Sequence, residues 1–131
     1  MSHKILLVDD EPDVLFYLQA ALEDHGYEVC TLEGGEPFEK TVRREGPDLV
    51  CLDVMMPKRS GISLLKRLLT TEDLKHIPAI VITGMLRAQD VIESELGSLV
   101  DGLPPERRVG VLEKPVSIDE LVGLIQGYLG K

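Results

Sequence analysis

The chain has 131 residues, 44 % of them apolar and 28 % charged, which is an ordinary globular composition; one domain is expected over 1–131, with no room for a separate effector or DNA-binding module. Fourteen basic against 23 acidic side chains give a formal net charge of −9, a field that repels phosphate backbones and anionic lipid and so disfavours direct nucleic-acid binding. No apolar run approaches the ~18 residues of a membrane span and no leader precedes the first apolar run, so a cytoplasmic chain without membrane insertion is expected.

Ile5 to Val8 opens the pattern as a short, fully apolar run, the mark of a strand buried on both faces. Pro12 to His25 follows as a helix, with Val14, Leu15, Leu18 and Leu22 at helical spacing, Pro12 suited to its first turn and Gly26 to its stop. Tyr27 to Leu32 reads as a second strand and Pro37 to Arg44 as a short helix with Phe38 and Val42 four apart. Leu49 to Leu52 is the third strand, and Gly61 to Leu69 the third helix, with Ile62, Leu65 and Leu69 on one stripe after a Ser60 cap. Ile80 to Ile82 is the fourth strand, a fourth helix begins near Ala88, and Val109 to Leu112 is a weaker fifth strand. Ser117 and Glu120 stand in capping-box spacing ahead of Leu121, Leu124 and Ile125 in a fifth helix, whose interior Gly123 and Gly127 weaken. The two cysteines, Cys30 and Cys51, lie inside strand-like runs and read as buried thiols rather than a disulfide.

Five strand–helix units in succession imply an α/β fold: a doubly wound parallel sheet with right-handed crossovers and helices on both faces. Such sheets bind ligands outside the carboxyl ends of their strands, beside the switch in strand order. The ends here are all polar: Asp9-Asp10, Asp53, Thr83, and Glu113-Lys114-Pro115. Three carboxylates, a hydroxyl and an ammonium would therefore converge on one edge, where repulsion among the acids must be offset by a cation, by the lysine or by protonation. Hard oxygen ligands suit Mg²⁺, with Mn²⁺ as its substitute. An aspartate is also a competent nucleophile towards phosphorus. Asp53 would attack, Asp9 and Asp10 would hold the metal, Lys114 would pair with carboxylate or phosphoryl oxygens, and Thr83 would hydrogen-bond the modified group. The loop from Met55 to Gly61 would carry a backbone carbonyl to the metal.

Each residue alone has a plainer explanation. Acids before Pro12 favour a helix start, Thr83 could satisfy backbone groups locally, and Lys114-Pro115 could be a loop entering a capped helix. It is their placement at separate strand ends that favours a site. His3, His25 and His76 have no ligand spacing and read as solvated, as do Arg43-Arg44 and Arg107-Arg108.

The chain resembles the receiver domain of bacterial two-component response regulators over essentially its whole length. The resemblance rests on Val8-Asp9-Asp10-Glu11, on Asp53 with Met55, Met56, Pro57 and then Gly61, on Thr83-Gly84, and on Lys114-Pro115. It implies the flavodoxin-like order 2-1-3-4-5 with five helices, and a phosphoryl group passed to Asp53 from the phosphohistidine of a histidine kinase or histidine phosphotransfer protein. That transfer would depend on Mg²⁺ and be followed by slow self-catalysed hydrolysis, with no other enzymatic activity. By the same resemblance Asp10, Asp53 and the Met55 carbonyl would bind the metal directly and Asp9 through water, and Lys114-Pro115 would be cis. The downstream target, a protein, is not specified by the sequence.

Two features depart from the family. Val111 stands where receivers usually carry an aromatic switch residue, three places before the lysine, and the interval from Thr83 to Lys114 is longer than usual, the excess falling in 97–108. Both support an alternative, a receiver-fold binding module that works independently of phosphorylation. A phosphatase acting on small molecules is disfavoured, because Met55 leaves no second carboxylate two residues after Asp53 to act as general acid.

Overall fold

The computed structural model describes residues 3–34, 37–53, 61–83 and 109–130. Five parallel strands, β1 (Lys4–Asp9), β2 (Glu28–Glu33), β3 (Leu49–Asp53), β4 (Ala79–Thr83) and β5 (Val109–Glu113), form one sheet in the order β2-β1-β3-β4-β5. Four helices are described: α1 (Pro12–Asp24), α2 (Phe38–Glu45), α3 (Gly61–Thr70) and α4 (Ile118–Leu129). The helix expected from Ala88, the Ser60 cap and the long 97–108 segment lie outside the described residues.

Alternation along the strands divides the core in two. Leu6, Val8, Val50, Leu52, Ala79 and Val81 face α2 and α3 and pack with Phe38, Val42, Leu64, Leu65, Leu68 and Leu69. Ile5, Leu7, Leu49, Cys51, Ile80 and Ile82 face the other way and pack with Leu15, Leu18 and Leu22 of α1 and Leu121, Val122 and Ile125 of α4. Every residue of β3 is buried because the strand is central and covered on both sides, which is why its sequence shows no alternation. β5, at an edge, is half-covered: Gly110 and Leu112 are buried and Val111 is 40 % exposed. Each fully buried leucine in these layers is worth about 1.5–3 kcal/mol relative to exposure.

Helix ends follow local chemistry. Pro12 occupies the first turn of α1, where a missing N–H costs nothing, and Gly26 (φ 89°) turns the chain back toward the sheet. Tyr27, expected to open the second strand, precedes it: its N–H bonds to the Leu22 carbonyl while the ring stays buried. Ser117 caps α4 by accepting from the Glu120 N–H at 3.3 Å, and the helix runs through Gly123 and Gly127 to a left-handed Gly130. Packing of Leu121, Val122 and Ile125 outweighs the cost of those glycines, roughly 1 kcal/mol each relative to alanine. Gly110 makes room of a different kind: a Cβ there would lie 2.6 Å from the Tyr128 hydroxyl, which α4 lays across β5, so a larger residue would displace that ring.

Both cysteines are free, Cys51 buried and Cys30 half-buried with its thiol donating to the Ile5 carbonyl at 3.7 Å. Burial pushes the Cys51 thiol up to about 12. Arg43, read from sequence as solvated, grips Asp73 through Nε at 2.8 Å and a second nitrogen at 3.2 Å, still largely exposed. Arg67 of α3 pairs with Glu39 of α2. No helix among the described residues is long and apolar enough to cross a membrane.

Candidate functional site

Register brings the polar strand ends together. Val8 of β1 pairs with Leu52 of β3, so the next residues, Asp9 and Asp53, end neighbouring strands at the same level. Asp53 pairs with Ile82, Thr83 with Glu113, and Lys114 follows β5 immediately. Between β1 and β3 the chain order of the sheet reverses, since β2 lies on one side of β1 and β3 on the other. The acids therefore lie at the switch point, where helices on opposite faces leave a crevice.

Asp9 is 3 % exposed and Asp53 2 %. With the half-buried Asp10 they offer three carboxylate oxygens within 4.8 Å of one another. The Lys114 ammonium meets Asp53 Oδ2 at 3.2 Å, and the Glu11 N–H donates to Asp9 Oδ1 at 3.0 Å. Burial pushes the Asp9 carboxyl up to about 7; the Glu11 hydrogen bond works against this, the Asp53 charge with it, and Lys114 again against. Burial draws the Lys114 ammonium down, but the charge and hydrogen bond of Asp53, with Asp9 and Glu11 beyond, outweigh it and hold the lysine above its ordinary value.

Among the described residues one ammonium faces three clustered carboxylates, and burial raises the Asp9 carboxyl, as expected where negative charge is crowded out of water. A small hard cation suits that cluster, because carboxylate oxygens are the donors Mg²⁺ prefers and two or three of them leave positions for water or phosphoryl oxygen. The donor set fits that ion.

Of the residues the sequence singled out, Asp9, Asp10, Asp53 and Lys114 are brought together here. Thr83 ends β4 at the same edge, while Met55, with its carbonyl, lies outside the described residues. Lys114-Pro115 is cis. Two contributors were not read from sequence. Glu11 acts through its backbone N–H, which no side-chain pattern reveals. Tyr17 lines a groove of about 450 Å³ with Glu11, Asp13, Val14, Leu18, Lys114, Pro115 and Val116; the visible signal is an aromatic pair on the outer side of α1, where Phe16 is 75 % and Tyr17 57 % exposed.

The response regulator receiver domain model matches residues 5–126. The chain belongs to that family. This places it in two-component signalling, and relatives agree along its length: Protein PilH of Pseudomonas aeruginosa is 36 % identical over 126 residues, covering 96 % of this chain and 97 % of that one. The alkaline phosphatase synthesis transcriptional regulatory protein PhoP of Bacillus subtilis is 48 % identical over 68 residues, 52 % of this chain and only 28 % of PhoP. Among solved structures, the chemotaxis response regulator CheY4 of Vibrio cholerae superposes with a TM-score of 0.79 at 25 % identity, covering 98 % of this chain and all of that one. Within this receiver fold the acidic cluster and the lysine occupy the carboxyl edge of the sheet. Val111, on the edge strand, is aliphatic and partly exposed.

Proposed function

We propose that Asp53 accepts a phosphoryl group from the phosphohistidine of a histidine kinase or histidine phosphotransfer protein, and that the modified chain signals by contact with a protein target or by passing the group along a relay. The observation that carries this reading is the buried Asp53 at the end of β3, held between Asp9, Asp10 and Lys114. An Asp53 carboxylate oxygen forms the new bond to phosphorus as the bond from phosphorus to imidazole nitrogen breaks and the imidazole leaves with the electron pair. Lys114 offsets negative charge on the carboxylate and the arriving oxygens, and its hydrogen bond fixes the orientation of Asp53. Asp9, Asp10 and Asp53, with the Met55 carbonyl, would hold Mg²⁺ or Mn²⁺, which supplies the positive charge the phosphoryl oxygens need when it is bound. Water later cleaves the aspartyl phosphate and restores the carboxylate; the chain catalyses only its own modification and its reversal, in the cytoplasm. The groove beside Lys114 and the exposed Phe16 and Tyr17 give a donor protein apolar surface next to the acceptor.

Intact-protein mass after incubation with acetyl phosphate tests the reading. The expected result is a gain of one phosphoryl group that requires both Mg²⁺ and Asp53, and is absent from Asp53→Asn. A chain that neither gains mass nor binds Mg²⁺ by titration supports the second reading, a phosphorylation-independent binding module; the aliphatic, partly exposed Val111 is the observation in that reading's favour.

A further inference from the structure

Phosphorylation changes what the Asp53–Lys114 contact can do. In the resting chain the pair is an ammonium and a carboxylate 3.2 Å apart, and a carboxylate carbon does not react with amines. An aspartyl phosphate is an activated acyl group with phosphate as its leaving group, and the Lys114 amine already touches one of the Asp53 oxygens.

We propose that the chain carries a self-modification site, in which the Lys114 Nζ captures the Cγ of phosphorylated Asp53 to form an internal amide. The proposal rests on the phosphoacceptor reading of Asp53. Asp53 closes the central strand and is 2 % exposed, and the Lys114 ammonium, whose residue follows directly on β5, is held to it by their hydrogen bond. Holding the amine and the acyl group within one fold makes the step intramolecular, which raises its rate over that of a free amine. Solvent water has poor access to the same carbon, which slows hydrolysis and leaves time for the deprotonated fraction of the amine to react in alkaline buffer.

The step balances without a further reagent once the phosphodonor has acted. The Lys114 ammonium loses a proton to solvent, the free Nζ pair forms the bond to Cγ, and the bond from Cγ to the bridging oxygen breaks with its electrons going to phosphate. Of the two remaining amine hydrogens, one stays on the amide nitrogen and the other leaves on hydrogen phosphate. No atom is oxidised or reduced. The product has lost both the acceptor carboxylate and the cation paired with it, so the chain is silenced permanently, whereas hydrolysis only resets it.

The test is prolonged incubation of the chain with acetyl phosphate and Mg²⁺ in mildly alkaline buffer, followed by intact mass, hydroxylamine treatment and peptide mapping. Two products are expected: one a phosphoryl group heavier and removed by hydroxylamine, the other one water lighter than the starting chain, resistant to hydroxylamine and yielding a cross-linked peptide that contains Asp53 and Lys114. The Lys114→Arg variant, which keeps a cation but lacks a nucleophilic amine, should give none of the lighter product. If the phosphorylated chain decays only to its starting mass, the amide proposal is overturned and the phosphoacceptor reading stands. A water-lighter chain that hydroxylamine opens, with no cross-linked peptide, is a succinimide at Asp53 and also overturns it. If no phosphoryl group is gained, both readings fall together.

Discussion

The two ends of the sheet handle acidic charge in opposite ways. At the amino edge, Lys4 meets Glu45 at 3.1 Å and Glu28 at 3.6 Å, and its backbone N–H is bonded to Asp48 at 2.8 Å. Those carboxylates are partly solvated, with side-chain exposures of 27 % for Glu45 and 61 % for Glu28, so water and salt absorb any imbalance and the pairs contribute little net stability. Arg44 adds a second cation there, at 3.2 Å from Glu45, whereas at the carboxyl edge the acids are shut away from water, Asp9 and Asp53 at 3 % and 2 % exposure. A buried surplus of negative charge is costly to maintain. Acidic side chains at a strand end are ordinary when wet; clustering and burial are what make the second set a candidate site.

The strongest way to break this contrast is to remove the acceptor. Asp53→Asn is expected to abolish the mass gain from acetyl phosphate entirely, with the fold retained by far-ultraviolet circular dichroism. A mass gain that survives would place the chemistry elsewhere. Next in size is Lys114→Ala, which takes the ammonium from a 2 % exposed carboxylate. Phosphorylation by acetyl phosphate should slow by roughly 10²-fold, the scale of a lost charge-stabilising donor, while Mg²⁺ titration shows binding kept or tightened because a competing cation is gone.

A smaller effect sharpens the contrast through pH. Burial raises the Asp9 carboxyl from its ordinary 3.8 to about 7 in the folded chain. The folded state thus holds an extra proton in that window, and its contribution is complete at low pH and lost as pH rises through about 7. Melting in chelator should show a lower Tm at about pH 8 than at about pH 5, and Asp9→Asn should flatten that dependence. A metal-free Tm that rises steadily with pH would contradict the stated burden on Asp9. The smallest change belongs to the other end: Lys4→Ala should lower Tm slightly, less so in high salt, and leave Asp53 phosphorylation at its full rate. A large loss of phosphorylation in that variant would mean the two edges are coupled.

Most of the architecture was legible because the central strands are covered on both faces. Ile5 to Val8 and Leu49 to Leu52 contain no polar residue, so they stop abruptly at Asp9 and Asp53, and the candidate acids could be read as strand ends without knowing how the strands pair. Which strands lie side by side is a property of registration, and only the pairing of Val8 with Leu52 brings Asp9 level with Asp53. β5 gave a weaker signal because an edge strand keeps one face partly wet, as Val111 does. The helix expected after Ser117 forms through both of its glycines, since local propensity yields to the packing of Leu121 and Ile125. The groove beside Lys114 was invisible because it joins α1 to the turn after β5, residues about a hundred positions apart in the chain.

The chain has three tyrosines and no tryptophan, so its near-ultraviolet emission comes from phenol rings alone, and the three occupy different settings. Tyr27 is sealed in the core, Tyr128 lies across Gly110, and Tyr17 stands in the groove beside Lys114. Only the last is a largely exposed ring in the groove that Lys114 lines. Subtracting the emission of a Tyr17→Phe variant from that of the native chain therefore isolates an unlabelled optical signal from the groove beside Lys114, while Tyr27 reports separately on unfolding.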